Sequence, residues 1–177
     1  MTELVLAHTG QLDPAVLTAA HQLLDEVFAG ELTEQDWEHC LGGMHALVWQ
    51  GAELIGHAAL IQRRLLHNGQ TLRTGYLEGV GVRASARRRG HGAAMMAALE
   101  QLARNAYELG ALGATDEAVS FYTGRGWRRW QGPTAALTPA GVIRTAEEDD
   151  GIYVLPMSAE LDLHGELTCD WRDGEIW

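Results

Sequence analysis

The sequence contains little cysteine, no long apolar run and no lysine. Its two cysteines, Cys40 and Cys169, lie far apart, which argues against a disulfide scaffold and favours a reduced, cytosolic protein. No apolar run approaches the roughly 18 residues of a membrane-spanning helix, and residues 1–10 lack the charged-then-apolar order of a signal peptide. Because the 177 residues include no repeat and no linker, we expect a single cytoplasmic domain spanning residues 1–177.

Charge is unevenly distributed along the chain. The formal net charge is −11, from 24 acidic and 13 basic residues, and this acidic balance makes nucleic acid a poor candidate partner. All the basic residues are arginines, and four of them fall in one short segment, namely Arg83, Arg87, Arg88 and Arg89. A small basic segment in an acidic chain indicates two ligands of opposite charge. A solvated acidic surface that keeps the protein soluble is the alternative.

Apolar periodicity predicts an α+β fold with a mostly antiparallel sheet. Asp13-Pro14 is typical of a helix start, and Gly30 ends that helix. Asn68-Gly69 predicts a two-residue hairpin turn. The other predicted elements are strands at 4–6, 44–49, 54–66, 71–83, 111–114, 127–130, 152–155 and 167–170, and helices at 33–40, 93–107 and 115–122.

A glycine-rich turn, Arg87-Arg88-Arg89-Gly90-His91-Gly92, lies between a predicted strand and a predicted helix. Such a turn offers unpaired backbone N–H groups and the positive end of a helix dipole, a combination suited to phosphate. Arg87-x-x-Gly90-x-Gly92 resembles the [Gln/Arg]-x-x-Gly-x-[Gly/Ala] motif of the GNAT N-acetyltransferases, and the order of predicted elements is similar to that family.

The GNAT resemblance implies a mixed, mostly antiparallel central sheet flanked by helices, with acetyl-CoA as co-substrate and no metal. It also implies that two short segments, the end of a strand and the glycine-rich turn, hold the pantetheine and the pyrophosphate of acetyl-CoA. These segments consist of Val80, Gly81, Val82, Arg87, Arg88, Arg89, Gly90, His91 and Gly92.

Further segments, spread over the whole chain, are similar to the aminoglycoside 2′-N-acetyltransferases. They are Ala29–His39, Leu41–Ala46, Gly75–Val80, Tyr107–Leu112, Phe121–Tyr122, Gly126–Trp127 and Cys169–Trp177. The chain departs from that family's pattern at Glu31 and Glu175, where aspartates are expected, and at Gly113, where serine is expected. These departures bear on fine specificity and leave the reaction itself unchanged.

This second resemblance implies acetyl transfer to the 2′-amine of aminoglycosides, an antibiotic-resistance activity. It assigns Glu78 as a general base that acts through a water, with a carboxylate that only orients the cation as the alternative. It assigns Tyr122 as the general acid for the leaving thiolate, with a core tyrosine as the alternative. Main-chain N–H groups near Val80 would polarise the thioester carbonyl.

The polycationic acceptor is expected to be held mainly by carboxylates, which give charge-assisted hydrogen bonds to spaced ammonium groups. The residues implied are Glu31, Asp36, Glu78, Gly79, Asp149, Glu175 and Trp177, the last through its α-carboxylate. A packed tryptophan is the alternative for Trp177. Which carboxylate of Glu147–Asp150 faces the acceptor stays open.

Other residues and functions have weaker support. His39, His45 and His57 lack the spacing of a metal site and are predicted to be packing or surface residues. Direct transfer is favoured over an acyl-cysteine, because neither cysteine is placed near the glycine turn. Two other functions stay open: a GNAT enzyme for another amine, such as a polyamine or cell-wall amino sugar, and a non-catalytic module that binds acyl-CoA or cationic sugars. No membrane partner is expected, and a homodimer is expected by analogy with the fold's relatives.

Overall fold

The computed structural model describes residues 1–177, which group into two compact units. The first unit consists of Met1–Ile61 and Leu77–Leu102, and the second consists of Gln62–Tyr76 and Ala103–Trp177. No helix in the structure combines the length and the apolar character needed to cross a membrane.

The first four strands along the chain follow one another in the sheet. Strand β1 (Thr2–His8) pairs antiparallel with β2 (Met44–Gln50) along its whole length. Strand β2 pairs antiparallel with β3 (Glu53–His67), with a shift of register at Val48/Trp49. Strand β3 returns as β4 (Gln70–Val82) through Asn68-Gly69, both with positive φ, which confirms the predicted hairpin turn. The first unit contains β1, β2, the start of β3 and the end of β4.

Three helices belong wholly or mainly to the first unit: α1 (Pro14–Val27), α2 (Glu34–His39) and α3 (His91–Ala106). The Asp13 carboxylate accepts the N–H of Ala15 at 2.8 Å, and Pro14 occupies the first turn, so α1 begins where the sequence predicted. Apolar residues of α1 and α3 form much of this unit's core, including Ala20, Leu23, Leu24, Met95, Met96 and Leu99.

The second unit contains the remaining strands and one short helix. These are β5 (Leu109–Gly113), α4 (Val119–Thr123), β6 (Arg128–Arg129), β7 (Thr134–Thr138), β8 (Gly141–Arg144), β9 (Ile152–Pro156) and β10 (Leu167–Cys169). The strand order is β6-β9-β5-β4-β3-β10-β7-β8, in which β4/β5 and β7/β10 are parallel. The mixed, mostly antiparallel sheet with helices confirms the predicted fold class.

The second unit differs from the sequence-based prediction in three places. The hairpin of β7 and β8 lies in a stretch that the sequence left as undivided loop and strand. The predicted helix 115–122 is a 3₁₀ turn at Asp116–Ala118 followed by α4; the N–H of Ala118 donates to the carbonyl of Thr115, three residues back, at 2.9 Å. The predicted strand 127–130 is shortened to β6, because the N–H of Trp127 donates to the Tyr122 carbonyl at 3.2 Å and not to a neighbouring strand.

Candidate active site

Near the end of β4, the backbone N–H and C=O groups of alternate residues point toward β3 and away from it. The N–H of Arg83 donates to the carbonyl of Ile55 at 2.9 Å. Because backbone groups alternate along an antiparallel ladder, those of Val82 and Val80 point to the opposite side. The partner on that side is β5, but its pairing with β4 covers only Thr74–Tyr76. The N–H and C=O of Val80 and the N–H of Val82 can therefore hydrogen-bond an extended ligand, whereas the Val82 carbonyl accepts from Arg87 Nε at 3.0 Å.

The glycine-rich turn provides a group of backbone donors at the start of α3. Arg88 and Gly90 have positive φ values of 60° and 86°, and the helix begins at His91. The N–H of Ala94 is the first to bond within the helix, to the carbonyl of Gly90 at 2.9 Å. The preceding N–H groups of the helix end are open to an anion, and the helix dipole favours negative charge there.

Three exposed arginines belong to this turn, and the fourth arginine of the basic segment, Arg83, is half-buried. Arg83 makes ion pairs with Glu53 at 3.0 Å and with Glu26 at 3.3 Å, so its charge is already compensated. Arg87, Arg88 and Arg89 remain on the exposed side of the turn. A short anionic group such as pyrophosphate fits this arrangement of donors and charges.

Glu78 lies where β4 departs from regular strand geometry. The next residue, Gly79, has a φ of +54°, which side-chain-bearing residues rarely adopt. A Cβ atom on Gly79 would lie 2.6 Å from Sγ of Cys40 and 2.9 Å from Cδ1 of Leu24, so the site requires glycine. Glu78, Gly79 and Val80 are all half-buried, and the irregular backbone lies directly beside Glu78.

Tyr122 on α4 is buried, with 6% of its surface exposed. Its ring packs edge-on against Phe121 and Trp127, at centroid distances of 5.2 and 6.2 Å. Burial raises the pKa of Tyr122 to about 12, so the phenol keeps its proton throughout the neutral and moderately alkaline range. The ring thus packs in the core, as the alternative expected, and the general-acid role of the protonated hydroxyl stays a prediction.

The predicted acceptor-binding acids of the first unit are found around α2. Asp36 closes a capping box, because its Oδ2 accepts the N–H of Thr33 at 2.9 Å and its own N–H donates to Thr33 Oγ1 at 3.1 Å. Glu31 is exposed in the segment that precedes the helix. The capping bonds hold the Asp36 carboxylate in a fixed orientation, with Oδ1 left for a cation.

The acidic run Glu147–Asp150 divides into carboxylates with different environments. Asp149 accepts from both terminal nitrogens of Arg144 and from the N–H and hydroxyl of Thr134, which lowers its pKa to about 2. Glu148 is half-buried, and burial, followed by the nearby charges of Glu175 and Glu147, raises its pKa. Asp149 is thus committed to internal bonds, whereas Glu148, which the sequence did not single out, shares its surroundings with Glu175.

Two arginines hold the C-terminal segment of the chain. Arg63 is 4% exposed and donates to Asp170 Oδ1 and to the Ile176 carbonyl, each at 2.8 Å. Arg172 donates to the Glu175 carbonyl at 2.8 Å and to the Trp177 oxygen at 2.9 Å. Both guanidinium groups lie over the Tyr76 ring, 4.8 and 5.4 Å from its centroid. The position of Glu175 therefore depends on a cation–aromatic cluster.

Trp177 is packed through its side chain, as the alternative reading of the sequence expected. It is 6% exposed, and its indole N–H donates to Thr145 Oγ1 at 2.9 Å. Any contact between this residue and an acceptor would come from its main-chain oxygens, one of which already accepts from Arg172.

Replacing Arg63 with Met should destabilise the protein by about 2–3 kcal/mol, because the Ile176 carbonyl and the Asp170 carboxylate lose their buried donors. Asp170 is 37% exposed, which keeps the loss below that of a fully buried pair. Urea unfolding measures this. The matched control is Arg129→Met, whose ion pair with Asp150 at 3.7 Å is mostly exposed and should contribute almost nothing. Equal losses in the two variants would contradict the assigned role of Arg63.

Comparison with known proteins agrees with this geometry. A family model of the acetyltransferase (GNAT) domain matches residues 11–130. An aminoglycoside 2′-N-acetyltransferase from Mycolicibacterium fortuitum is 50% identical, in an alignment that covers 97% of this chain and 90% of the relative.

Solved structures with lower sequence identity share the fold. ElaA from Escherichia coli has a TM-score of 0.62 and 22% identity, over 87% of this chain and 99% of its own. The ribosomal-protein-S18-alanine N-acetyltransferase from Escherichia coli has a TM-score of 0.57 and 17% identity, over 90% of this chain and 97% of its own. The family match and the close relative together establish that this chain belongs to the GNAT acetyltransferase family.

Proposed function

We propose that this enzyme transfers the acetyl group of acetyl-CoA to the 2′-amine of aminoglycosides. The observation that carries the proposal is the 50% identity, over nearly the whole chain, to an aminoglycoside 2′-N-acetyltransferase. Each unit carries carboxylates suited to a polycationic acceptor, at Asp36 in the first unit and at Glu148 and Glu175 in the second, since spaced carboxylates bind spaced ammonium groups.

The co-substrate side of the reaction is assigned to β4 and the turn that follows it. The N–H groups at the start of α3 and the side chains of Arg87, Arg88 and Arg89 would hold the pyrophosphate. The outward N–H and C=O groups of Val80 and the N–H of Val82 would pair with the amides of the pantetheine arm. An N–H group near Val80 would then polarise the thioester carbonyl as charge develops on its oxygen.

The acceptor side needs a base, because the target amine is protonated at neutral pH and an ammonium group cannot attack a thioester. Glu78 would accept that proton through a water. Attack of the neutral amine on the acetyl carbonyl forms the C–N bond, and loss of the thiolate breaks the C–S bond. The nitrogen then releases its second proton as the amide forms, which balances the proton taken up by the sulfur. Tyr122 would donate a hydrogen bond or its proton to the departing sulfur.

Acetyl-CoA turnover with several amines tests the acceptor class. Release of free CoA thiol is followed with kanamycin B, which carries a 2′-amine, and with spermidine as a representative polyamine. We expect thiol release only with an acceptor present and a larger kcat/KM for kanamycin B. A larger kcat/KM for spermidine would favour a polyamine acetyltransferase, and no turnover with any amine would favour a binding module.

The expected homodimer has support at one edge of the second unit. Strand β8 ends the strand order, and the β7/β8 hairpin exposes three apolar side chains: Leu137, Val142 and Ile143. An exposed edge with an apolar patch is suited to pairing with a second copy.

Sedimentation of the 19.3 kDa chain should give twice that mass, and Val142→Lys should shift the equilibrium toward the monomer by about tenfold or more. Leu4→Lys, at an exposed position of β1, is the control and should leave the mass unchanged. A monomeric wild-type protein would contradict the proposed dimer.

A further inference from the structure

A chain of hydrogen bonds crosses strands β1 to β4 within the first unit. Thr9 Oγ1, just beyond β1, lies 2.8 Å from Nε2 of His45 on β2. His45 Nδ1 lies 2.9 Å from Nε2 of His57 on β3. His57 Nδ1 lies 2.8 Å from the carbonyl oxygen of Gly79 on β4. We call Thr9, His45, His57 and Gly79 the histidine chain; both imidazoles are fully buried.

The position of every proton in the histidine chain follows from its last member. A carbonyl oxygen only accepts, so Nδ1 of His57 carries a proton and Nε2 of that neutral ring must accept. Nδ1 of His45 therefore donates to His57. Nε2 of His45 accepts from the Thr9 hydroxyl at 2.8 Å, a shorter contact than the 3.3 Å from that hydroxyl to the Gly43 carbonyl. Thr9 Oγ1 in turn accepts the N–H of Gly42 at 2.9 Å. All the donors point toward Gly79, and such an aligned series strengthens each of its bonds.

The surroundings of the histidine chain keep both rings neutral. Burial lowers the pKa of His45 to about 4, and the nearby His8 acts in the same direction. Burial also lowers the pKa of His57 to about 4, although its bond to the Gly79 carbonyl opposes this and His45 reinforces it. Trp37 covers His57, at a ring-centroid distance of 6.1 Å. At neutral pH each ring has one donor and one acceptor nitrogen, as the chain of bonds requires.

The end of the histidine chain coincides with the irregular backbone beside Glu78. The φ of +54° at Gly79 turns the peptide between Glu78 and Gly79 out of the regular alternation of the strand. A sparsely populated conformation of this kind persists only where its surroundings hold it. Here the Gly79 carbonyl is held by a side chain, His57, and the packing of Cys40 and Leu24 leaves no room for another residue type.

We propose that His45 and His57 are positioning residues for acetyl transfer, which hold the Gly79 carbonyl and thereby orient the Glu78 carboxylate toward the acceptor amine. This inference rests on the proposed function, in which Glu78 is the base. A small displacement of a base from its productive geometry costs about 100-fold in rate. Neither histidine touches the reacting atoms in this account, because both act through Gly79.

Kinetics of two His57 variants test the proposal. His57→Leu removes the donor to Gly79 and should lower kcat with kanamycin B by about 10–100-fold, with little change in the KM of acetyl-CoA. His57→Asn places an amide N–H near the former Nδ1 position and should recover most of that loss. If the Asn variant turns over as slowly as the Leu variant, the proposal is overturned.

The matched control is His67→Leu. His67 is also buried, and its Nδ1 lies 3.0 Å from the Glu166 carbonyl in the second unit. Loss of this bond should lower the free energy of unfolding while kcat stays near the wild-type value. A fall in kcat equal to that of His57→Leu would mean that any buried histidine has this effect, and it would overturn the assigned role.

Nitrogen-15 NMR of the imidazoles in the wild-type protein tests the same inference without kinetics. We expect both His45 and His57 as neutral Nδ1–H tautomers at neutral pH, with signals assigned from the single variants. An Nε2–H tautomer or a charged ring at either residue would overturn the proposal, even if kanamycin B is acetylated. If kanamycin B is not acetylated, the proposed function fails separately, and the variant kinetics are measured with the amine that does support thiol release.

Discussion

Glu78→Gln should lower kcat with kanamycin B by about 100-fold or more, which is the size expected for loss of a general base. The amide keeps the shape of the carboxylate at this half-buried position but cannot accept a proton from the acceptor's ammonium group. The KM for acetyl-CoA should change little, since the co-substrate is assigned to Val80, Val82 and the turn before α3. Steady-state kinetics with each substrate varied in turn measure this difference.

The pH dependence distinguishes a base from a carboxylate that only orients the cation. As pH rises toward the pKa of the amine, a larger fraction of the acceptor is already deprotonated. The ratio of wild-type kcat to Glu78→Gln kcat should therefore fall. If Glu78 only attracted the cation, the substitution would mainly raise the KM of the acceptor, and the ratio of the two kcat values would not fall with pH. Glu3→Gln, at an exposed position on β1, is the control and should behave as wild type throughout.

Tyr122→Phe should lower kcat by about 10–100-fold, because the leaving thiolate loses its donor while the packing of the ring is kept. The phenol pKa of about 12 exceeds the roughly 8.5 of a free thiol, so the donor contributes chiefly as the sulfur becomes negatively charged. Rapid-quench measurement of the acetyl-transfer step checks this directly. The control is Tyr107→Phe, a half-buried tyrosine outside the proposed machinery, which should leave the step unchanged. A rate for Tyr122→Phe within about twofold of wild type would refute the assigned role.

The raised pKa of Tyr122 also predicts the alkaline limb of the pH profile. Its acid form is fully present below the ordinary tyrosine pKa of about 10 and is lost only as pH rises through about 12. Wild-type kcat should therefore show no fall assignable to Tyr122 between about pH 7 and pH 10. A fall in wild-type kcat near pH 10 that is absent in Tyr122→Phe would show instead that the phenol of Tyr122 has the ordinary tyrosine pKa.

Local signals in the sequence were sufficient to predict most of the fold. Asp13-Pro14 and Asn68-Gly69 set a helix start and a turn through the chemistry of two adjacent residues, and both lie where predicted. The β7/β8 hairpin was harder to see, because its strands are four or five residues long and stand between prolines. Its pairing with β10 joins distant parts of the chain, which no local pattern encodes.

The candidate site was predictable where it depends on a contiguous motif and not where it depends on distant partners. Arg87 to Gly92 is local, and the turn forms as expected at the start of α3. Arg83 looked equivalent to its neighbours, but Glu26 and Glu53 pair with it from other elements. Asp149 is likewise bonded internally, because Arg144 donates to its carboxylate. Glu148, and not Asp149, is the acid that interacts with Glu175.

The histidine chain was also hidden from sequence analysis. His45 and His57 lie twelve residues apart with no recognisable spacing, and the sequence favoured packing or surface roles for them. Their contact arises because β2 and β3 pair with His57 opposite Leu47, two residues from His45 on the same face. Only the register of the strands brings the two rings together.

The most direct test of the proposed acceptor compares kanamycin B with kanamycin A, which has a hydroxyl in place of the 2′-amine. Mass spectrometry and NMR of the product would locate the transferred acetyl group. We expect one acetyl group on the 2′-nitrogen of kanamycin B and almost no product from kanamycin A. Acetylation of kanamycin A at a comparable rate, or of kanamycin B at another amine, would contradict the central claim.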